Sequence, residues 1–366
     1  MEVAMTAQID GTSGLIVHKA DPLNAEPPLA RLRAAFLTPQ DSFYIRSHGE
    51  TPRLDAATHS IRVEGVPHRQ SFTLAELQSQ FAHRTVTAVM QCAGNRRADM
   101  HAVAPVSGDP WAPGAIGNAR WTGAALADIL LACGVDAKPG WHVAFACADA
   151  CELEGKRFRF GVSIPIEKAM SADVLLAWAL NGEALALEHG HPLRVVVPGY
   201  AGVRSPKWLA AITVQPRPSD NPFQAEDYKL FPADWTKETA DPARGMTINE
   251  MPVNAAICEP ASHARLKPGR ARVAGYAVAT ARAIVRVDVS ADEGRSWQQA
   301  ELQADPSSPW SWTFWQTELD LPTGEHVLAV RAWDEAGQTQ PNRPEETWNY
   351  KGYLCTAWHR VPVNVA

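Results

Sequence analysis

Two segments of the chain carry the pattern of polar and apolar positions that begins a helix. Thr73 and Glu76 stand three residues apart in Phe-Thr-Leu-Ala-Glu-Leu, which is the spacing of a capping box. Thr122 is placed to cap a second helix over residues 124–133, and Gly134 is placed to end it. These signals predict that the first half of the chain mixes short helices with strands.

A buried strand and a long loop are predicted next along the chain. Residues 193–197, a run of mostly β-branched side chains, are closed by Pro198 and Gly199, which is typical of a buried strand. Residues 216–252 are rich in Pro, Asp and Asn and show no clear periodicity. They are predicted to form a long surface loop, and loops of that length often carry function.

Beyond about residue 252, apolar and polar residues alternate at period two. Residues 284–289 and 326–331 show this alternation, and turn-forming residues at 292–294 and 322–324 separate such runs. Short strands between turns predict an antiparallel sandwich. Seven of the 13 Trp residues lie beyond position 290, enough to fill a sandwich core or an interface. The predicted fold class is α+β, with a mixed α/β domain at 1–245 and an all-β domain at 246–366.

Length and charge limit the class of protein. A chain of 366 residues is long for one core and indicates two domains. A net charge of −6 argues against nucleic acid or an anionic membrane as the main partner. No segment has the roughly 18 uninterrupted apolar residues that a membrane span needs. An anionic substrate would therefore need positive charge gathered locally.

The cysteines indicate a reducing environment. They stand at 92, 133, 147, 151, 258 and 355, with no C-x-x-C pair and no spacing for zinc or haem attachment. A pairing of Cys147 with Cys151 in an oxidising compartment stays open. The first thirty residues show neither a twin-arginine motif nor an apolar signal segment, and the C-terminus is not a peroxisomal tripeptide. The expected location is the cytoplasm.

Residues 89–97, Val-Met-Gln-Cys-Ala-Gly-Asn-Arg-Arg, carry the strongest chemical signal. The small residues after Cys92 let backbone approach a bulky ligand closely. Arg96 and Arg97 favour a nearby thiolate and attract oxyanions. Because a thiolate is a soft metal ligand, the segment indicates a metal bound beside an oxyanion pocket. The competing interpretation is a buried cysteine in a turn with two solvated arginines.

This segment resembles the molybdenum-ligand segment of the sulfite oxidase family. Further blocks similar to that family follow in order, at 15–18, 24–28, 43–48, 114–121, 163–165, 189–190, 192–199, 207–209, 227–229 and 357–361. The resemblance implies a molybdopterin-binding domain of the sulfite oxidase type, followed by an immunoglobulin-like dimerisation domain. Within the family, the chain is most similar to the haem-free, plant-type members.

The resemblance also implies a cofactor site. In that family one cysteine and the two dithiolene sulfurs of a pyranopterin bind molybdenum, and Cys92 matches the cysteine. A phosphate on the pterin needs cations and donors, and the planar fork of an arginine suits it. The family's cofactor-binding positions are matched by Arg46, Ser47, His48, Asp149, Ser163, His189, Arg194 and Lys207.

A substrate pocket is implied in the same way. Sulfite is a small dianion near neutral pH, so its pocket must supply positive charge and hydrogen-bond donors. The family's pocket positions are matched by Arg46, Arg97, Trp111, Tyr228 and Lys351. Two residues depart from the family pattern: Ser47 stands where an asparagine is usual, and Lys351 where an arginine is usual. Lysine keeps the charge but loses the bidentate fork.

The function implied by the resemblance is oxidation of sulfite to sulfate by oxygen-atom transfer at a molybdenum–molybdopterin centre, without haem, in a homodimer. The electron acceptor is either oxygen or a separate cytochrome. One alternative is another reaction of the same superfamily, nitrate or sulfoxide reduction; nitrate reductases share Cys-Ala-Gly-Asn-Arg-Arg but normally carry attached haem and flavin domains. The other is a non-enzymatic cofactor carrier or interaction protein, which needs neither Trp111 nor Tyr228.

Overall fold

A computed structural model describes residues 8–9, 14–68, 70–153 and 155–366. In the described part, a first unit of mixed sheets and short helices precedes a β-rich second unit. The α-helices are Leu29–Arg33, Leu74–Gln80, Arg97–His101, Leu126–Ala132, Ile166–Ala169 and Pro222–Ala225. The 3₁₀ helices are Gln40–Ser42, Leu187–His189, Gly202–Arg204, Pro242–Arg244 and Pro344–Glu346.

The described part of the first unit contains three larger sheets and one strand pair. An antiparallel N-terminal sheet has the order Gln8–Ile9, Ile16–Lys19, Asn24–Glu26, Ile45–Arg46. A second sheet has the order Lys156–Pro165, His142–Leu153, Leu209–Gln215, Ser60–Glu64, Gln70–Thr73. A third has the order Glu183–Ala184, Leu175–Leu180, Ile116–Ala125, His83–Gln91, with Arg194–Val196 also pairing to Leu175–Leu180. Lys229–Leu230 pairs with Met246–Thr247.

The third sheet sets the position of the cysteine segment. His83–Gln91 pairs along its whole length with Ile116–Ala125, so Gln91 lies opposite Ile116. Cys92 follows directly and donates its N–H to the carbonyl of Ala115 at 2.9 Å. Residues 92–97 therefore follow the buried end of a long strand pair, and the pairing fixes where they begin.

The second unit is a two-sheet β structure. One sheet has the order Asn254–Glu259, Gly269–Val278, Thr313–Leu321, Glu301–Ala304. The other has the order Ala264–Leu266, His359–Val365, Gly324–Asp334, Ile284–Ser290, Gln298–Gln299, and only its first pair runs parallel. Apolar residues of both sheets, among them Ile257, Trp315 and Val330, share one buried core. Burying this apolar area from both sides is what holds the two sheets together.

The two predicted helix starts have different outcomes. Leu74–Gln80 begins at Thr73, and both reciprocal bonds of the capping box with Glu76 are formed, which confirms that prediction. The predicted cap at Thr122 is wrong, because Thr122 lies inside the strand Ile116–Ala125 and its hydroxyl bonds that of Thr85 at 2.9 Å. The helix there is Leu126–Ala132, and Gly134, at a φ of 78°, follows its end as predicted.

The other element predictions hold with shifted bounds. The strand predicted at 193–197 is Arg194–Val196, and the alternating runs are contained in Ile284–Ser290 and Gly324–Asp334. Residues 216–252 form an irregular segment interrupted by one short α-helix, one 3₁₀ helix and a strand pair. The boundary between 245 and 246 stays a prediction: Ile248 and Met251 pack in the first core, and Val253 packs in the second.

Two further findings concern the cysteines and the membrane. All six cysteines are buried and free, so Cys147 and Cys151 do not pair in the structure. No helix within the described ranges has the length and apolar character needed to cross a membrane.

Candidate active site

A cleft in the first unit gathers most of the predicted site. It encloses about 660 Å³ of empty space, including the part open to solvent. Nine of the thirteen predicted residues line it, namely Arg46, Ser47, His48, Cys92, Asp149, His189, Arg194, Lys207 and Tyr228. Arg97, Trp111, Ser163 and Lys351 lie outside this lining. Residues far apart in the chain thus converge on one concave surface with Cys92 in its wall.

Cys92 is fixed by its own turn. It is 5% exposed, and its sulfur accepts a hydrogen bond from the N–H of Gly94 at 3.4 Å. Burial raises the pKa of the Cys92 thiol, while the guanidiniums of Arg97 and Arg46 oppose that rise. A thiolate here therefore has two cations nearby, and coordination to a metal would stabilise it further.

Arg96 and Arg97 point to different places. Arg96 has a φ of 66° and is fully buried. It forms an ion pair with Asp99 at 2.7 Å and donates to Asn254 Oδ1 at 3.1 Å and to the carbonyl of Ala357 at 2.5 Å. The expectation that both arginines serve the thiol and an oxyanion is therefore wrong for Arg96, which ties the cysteine segment to the second unit.

Arg97 lies in a cradle of three glycines. A Cβ on Gly94 would lie 2.4 Å from its guanidinium, one on Gly108 would lie 3.0 Å away, and one on Gly352 would lie 2.7 Å from its Cγ. Its Nη1 donates to the carbonyl of Asp109 at 3.0 Å, and its buried Nε has no partner. Only glycine at these positions leaves room for the guanidinium, and no sequence motif marked the three as one set.

One wall of the cleft is crowded with cations. Arg194 donates to the carbonyls of His189 at 2.9 Å and Ser205 at 2.8 Å, and Lys207 donates to Ser47 Oγ at 2.8 Å. Burial lowers the pKa of Arg194 to about 10. Burial, with Lys207 and Arg194 nearby, lowers the pKa of His189 to about 3. Buried cations held by neutral partners favour an anionic ligand, because a charge without a counter-charge is costly to bury.

Asp149 faces the same wall. It is 4% exposed, its Oδ1 has no partner, and its Oδ2 accepts a weak bond from the Cys151 thiol at 3.7 Å. Burial raises the pKa of Asp149, and Lys207 opposes that rise; burial lowers the pKa of Lys207. A buried oxygen without a partner indicates that a ligand group with an N–H or O–H belongs beside it.

His48 and Tyr228 form a hydrogen-bonded pair in the lining of the same cleft. His48 Nε2 lies 2.7 Å from the Tyr228 hydroxyl, and the imidazole packs on Phe223 with ring centroids 4.2 Å apart. Burial and the nearby cations Arg46 and Lys207 hold the pKa of His48 well below its usual range, whereas burial raises that of Tyr228. When the neutral imidazole carries its proton on Nε2, the Tyr228 hydroxyl is left to donate into the cleft.

Trp111 and Ser163 have contrasting surroundings. Trp111 is fully buried, its ring lies edge-on to His18 at 4.9 Å, and its Nε1 has no partner. Trp111 lies outside the cleft lining, so the structure does not place this unpaired donor in the cleft. The structure does not bring Ser163 to the cleft: its hydroxyl accepts from the N–H of Ser219 at 2.9 Å and its N–H donates to Gln224 at 3.0 Å. It fixes the start of the 216–252 segment.

Lys351 has a counter-ion. Its Nζ lies 2.8 Å from Asp227 Oδ1, and both side chains are largely buried. Asp227 therefore neutralises the charge that the pocket was expected to receive from Lys351. Asp227 was not among the predicted site residues, although it stands directly before Tyr228 in the 227–229 block.

Sequence reasoning missed Tyr44 as a cleft residue, although it lies in the 43–48 block. It lines the cleft, and burial and the nearby Cys92 hold its pKa well above its usual range. A Cβ on Gly202 would lie 2.7 Å from the Tyr44 hydroxyl. The absence of a side chain at Gly202 therefore leaves room for the Tyr44 hydroxyl.

Comparison with known proteins matches these features. The family described as "Oxidoreductase molybdopterin binding domain" matches residues 48–223, and "Mo-co oxidoreductase dimerisation domain" matches residues 245–366. Sulfite oxidase of Gallus gallus is 42% identical over 359 residues, which are 95% of this chain and 77% of that protein. The chain belongs to the sulfite oxidase family.

Other members show how far the similarity extends. Sulfite oxidase of Arabidopsis thaliana is 37% identical over 95% of this chain and 93% of its own length. The NADH nitrate reductase of Hordeum vulgare is 36% identical over 94% of this chain but only 40% of its own length. The solved structure of the sulfane dehydrogenase SoxCD from Paracoccus pantotrophus has a TM-score of 0.79 at 24% identity and covers all of this chain and 90% of that one, which shows the fold.

The residues of the cleft fit a molybdopterin of the kind this family binds. Arg194 and Lys207 offer cationic donors to a phosphate, and the free oxygen of Asp149 offers an acceptor to a pterin N–H. The neutral His189 donates Nε2–H to the Gln40 carbonyl at 2.9 Å, which leaves its Nδ1 as an acceptor in the same wall. Within the described ranges, no three His, Cys, Asp or Glu side chains are grouped to hold a metal ion. Cys92 is the thiol in the lining of this cleft that could ligate a metal held by such a cofactor.

Proposed function

We propose that this chain oxidises sulfite to sulfate at a molybdenum–molybdopterin centre bound through Cys92. The observation that carries the proposal is the position of the thiol: Cys92 lies in the cleft wall with Arg46 and Arg97 both close enough to influence its pKa. An anion that approaches the sulfur therefore meets the Arg46 guanidinium in the cleft wall and the positive charge of Arg97 just behind that lining. The sulfite oxidases of Gallus gallus and Arabidopsis thaliana, which align over 95% of the chain, support this substrate.

The side chains divide the work between cofactor and substrate. Arg194 and Lys207 bind the phosphate end, the neutral ring of His189 packs beside it as part of the cofactor site, and the Cys92 thiolate binds the metal. The centre, when bound, supplies the oxygen atom and accepts two electrons. Arg46 and Arg97 hold the sulfite dianion, and their charge is felt more strongly in a buried cleft than in water. In net terms, sulfite and water give sulfate, two protons and two electrons.

A substrate panel separates this function from the alternatives. The purified, molybdenum-loaded protein is assayed with sulfite and an artificial acceptor, and with nitrate or a sulfoxide and an artificial donor. Sulfite oxidation should exceed the two reductions by orders of magnitude. Nitrate reduction faster than sulfite oxidation would replace the proposal, and loaded protein inactive on all three would favour the carrier hypothesis.

The proposed function includes a cellular location and an electron acceptor. The six free cysteines support a reducing compartment, for which the cytoplasm is the proposed location. The similarity to a plant sulfite oxidase, that of Arabidopsis thaliana, supports a reaction without haem, with electrons leaving to oxygen or a separate cytochrome.

We expect a two-fold homodimer formed by an immunoglobulin-like domain in the second unit. The match to a dimerisation domain at 245–366 and the two-sheet core support this. Light scattering at micromolar concentration should give twice the 39.8 kDa of one chain. A mass of a single chain at that concentration would contradict it.

Lys351 provides a test of the pocket's charge. In Lys351→Ala, Asp227 loses its partner and repels the anion, so the KM for sulfite should rise. In Lys351→Arg, the guanidinium can keep the ion pair with Asp227 and direct further N–H donors to the pocket. The KM should therefore fall several-fold, which corresponds to about 1 kcal/mol of binding free energy. Lys237→Arg, at an exposed lysine, is the control. A Lys351→Arg protein with unchanged sulfite kinetics and weaker activity on another anion would identify that anion as the substrate.

A further inference from the structure

Tyr353 lies on a loop of the second unit that is fastened to the cysteine segment. Leu354, the next residue, donates its N–H to the carbonyl of Ala93 at 2.8 Å. The buried Asn349 closes the loop from the other side: its Nδ2 donates to the Tyr353 carbonyl at 2.7 Å, and its Oδ1 accepts from the Tyr353 N–H at 3.2 Å. The backbone of Tyr353 is therefore fixed beside Cys92.

The side chain of Tyr353 contacts two of the predicted substrate residues. It is 6% exposed, and its ring stacks on that of Tyr228 with centroids 5.1 Å apart and planes 17° apart. The guanidinium carbon of Arg97 lies 5.3 Å from the centre of the same ring. One aromatic ring thus touches both the cation and the phenol that face the anion.

The hydroxyl connects Tyr353 to a third predicted residue. It donates to Asp227 Oδ1 at 3.2 Å, and the same oxygen accepts from Lys351 at 2.8 Å. A carboxylate oxygen can accept from both at once. The carboxylate therefore fixes how the Tyr353 ring is turned toward Arg97 and Tyr228.

Arg97 has few other restraints. Its hydrogen bond to the Asp109 carbonyl leaves Nε without a partner, and the glycines around it offer space but no side chain to bond. The aromatic face of Tyr353 is the additional contact, and a buried cation over a ring is worth enough to select one orientation of the guanidinium.

From these contacts we propose that Tyr353 is a positioning residue for sulfite oxidation, which holds Arg97 and Tyr228 in the orientation that binds the anion. The inference rests on the proposed function for its substrate. It adds to that function a residue of the second unit that acts on the pocket through its neighbours and does not touch sulfite.

The test compares Tyr353→Leu with Tyr353→Phe. Removing the ring should raise the KM for sulfite by roughly 10-fold with little change in kcat, the size expected for a lost buried cation–π contact. Phenylalanine keeps the ring and should restore most of the affinity. Tyr200→Leu is the matched control, because that tyrosine also has a cation over its ring, Lys168 Nζ at 5.0 Å, but lies outside the cleft lining. Tyr353→Met, which fills a similar volume, replaces the leucine variant if that protein fails to load molybdenum.

A double mutant decides whether Tyr353 acts through Arg97. In an Arg97→Met background, Tyr353→Leu should raise the KM much less than it does alone, because the group that it positions is gone. If the KM of the double mutant rises by the product of the two single-mutant factors, the inference is overturned. An equal loss of kcat in Tyr353→Leu and Tyr353→Phe would overturn it as well.

A measurement of sulfate binding tests the role of Tyr353 without any turnover. The Kd of the loaded protein for sulfate, measured by calorimetry, should rise in Tyr353→Leu by the same factor as the KM. Wild-type protein that does not oxidise sulfite would contradict the proposed function. Wild-type protein that oxidises sulfite, with an unchanged KM and sulfate Kd in Tyr353→Leu, would contradict only the role of Tyr353.

Discussion

We expect Cys92→Ser to abolish sulfite turnover in a protein that stays folded. Among the described residues, Cys92 is the cysteine that lines the cleft, and two guanidiniums lie near its sulfur. A serine oxygen is a harder ligand than a thiolate and a poorer match for this metal site. The expected result is turnover below detection, measured together with molybdenum content and the melting temperature.

The control for this substitution is Cys133→Ser. Cys133 is equally buried but packs in the first core among side chains such as Leu126 and Ile129. A hydroxyl there should cost stability, about 1–3 kcal/mol, and leave turnover intact. A Cys92→Ser protein that is fully loaded with molybdenum and oxidises sulfite at the normal rate would remove Cys92 from the mechanism.

We expect Arg97→Met to weaken sulfite binding more than it slows the reaction at saturating sulfite. The guanidinium is a cation that the substrate feels both before and during reaction, so its loss affects KM first. Losing one charged hydrogen bond corresponds to about 1.5–3 kcal/mol, or roughly 10- to 150-fold in KM. Steady-state kinetics over a wide range of sulfite concentration measures the two parameters separately.

Two further variants serve as controls for the Arg97→Met result. Arg84→Met removes an exposed arginine whose partner is Asp128, 3.3 Å away, and should leave the KM unchanged. Arg97→Lys keeps the charge and should fall between wild type and Arg97→Met. A change confined to kcat in Arg97→Met would mean that Arg97 does not bind the substrate.

The helix starts show which local signals could be read from the sequence. At Thr73 and Glu76, both partners of the capping box lie within one turn, so the pattern alone predicts the structure. At Thr122, the same kind of residue serves a strand instead, because its hydroxyl pairs with Thr85, 37 positions earlier. The deciding partner lay outside any local window.

The site residues divide in a similar way. Eight of the nine predicted residues that line the cleft fall in blocks whose order resembles that of the family, and that order sufficed to find them; Asp149 lies outside those blocks. Arg96 and Arg97 are adjacent and chemically alike, yet Arg96 turns away because its partners Asn254 and Ala357 belong to the second unit. Contacts between distant segments assign the roles, and single-sequence patterns do not contain them.

Ser163 and the glycine cradle illustrate the same limit. The sequence alone cannot distinguish a Ser163 hydroxyl that accepts from the Ser219 N–H from one that contacts a ligand. Gly94, Gly108 and Gly352 come from three separate segments and become one feature only around Arg97. Tyr353 likewise acquires its contacts only when the second unit packs on the first.

The central claim is that this cleft performs two-electron oxidation of sulfite at a molybdenum centre bound through Cys92. The most direct test adds sulfite to the oxidised, molybdenum-loaded protein without oxygen and follows the molybdenum charge-transfer absorbance and the sulfate formed. We predict loss of the absorbance with one sulfate per molybdenum, and neither change in Cys92→Ser. Fully loaded wild-type protein whose absorbance persists and which forms no sulfate would contradict the account.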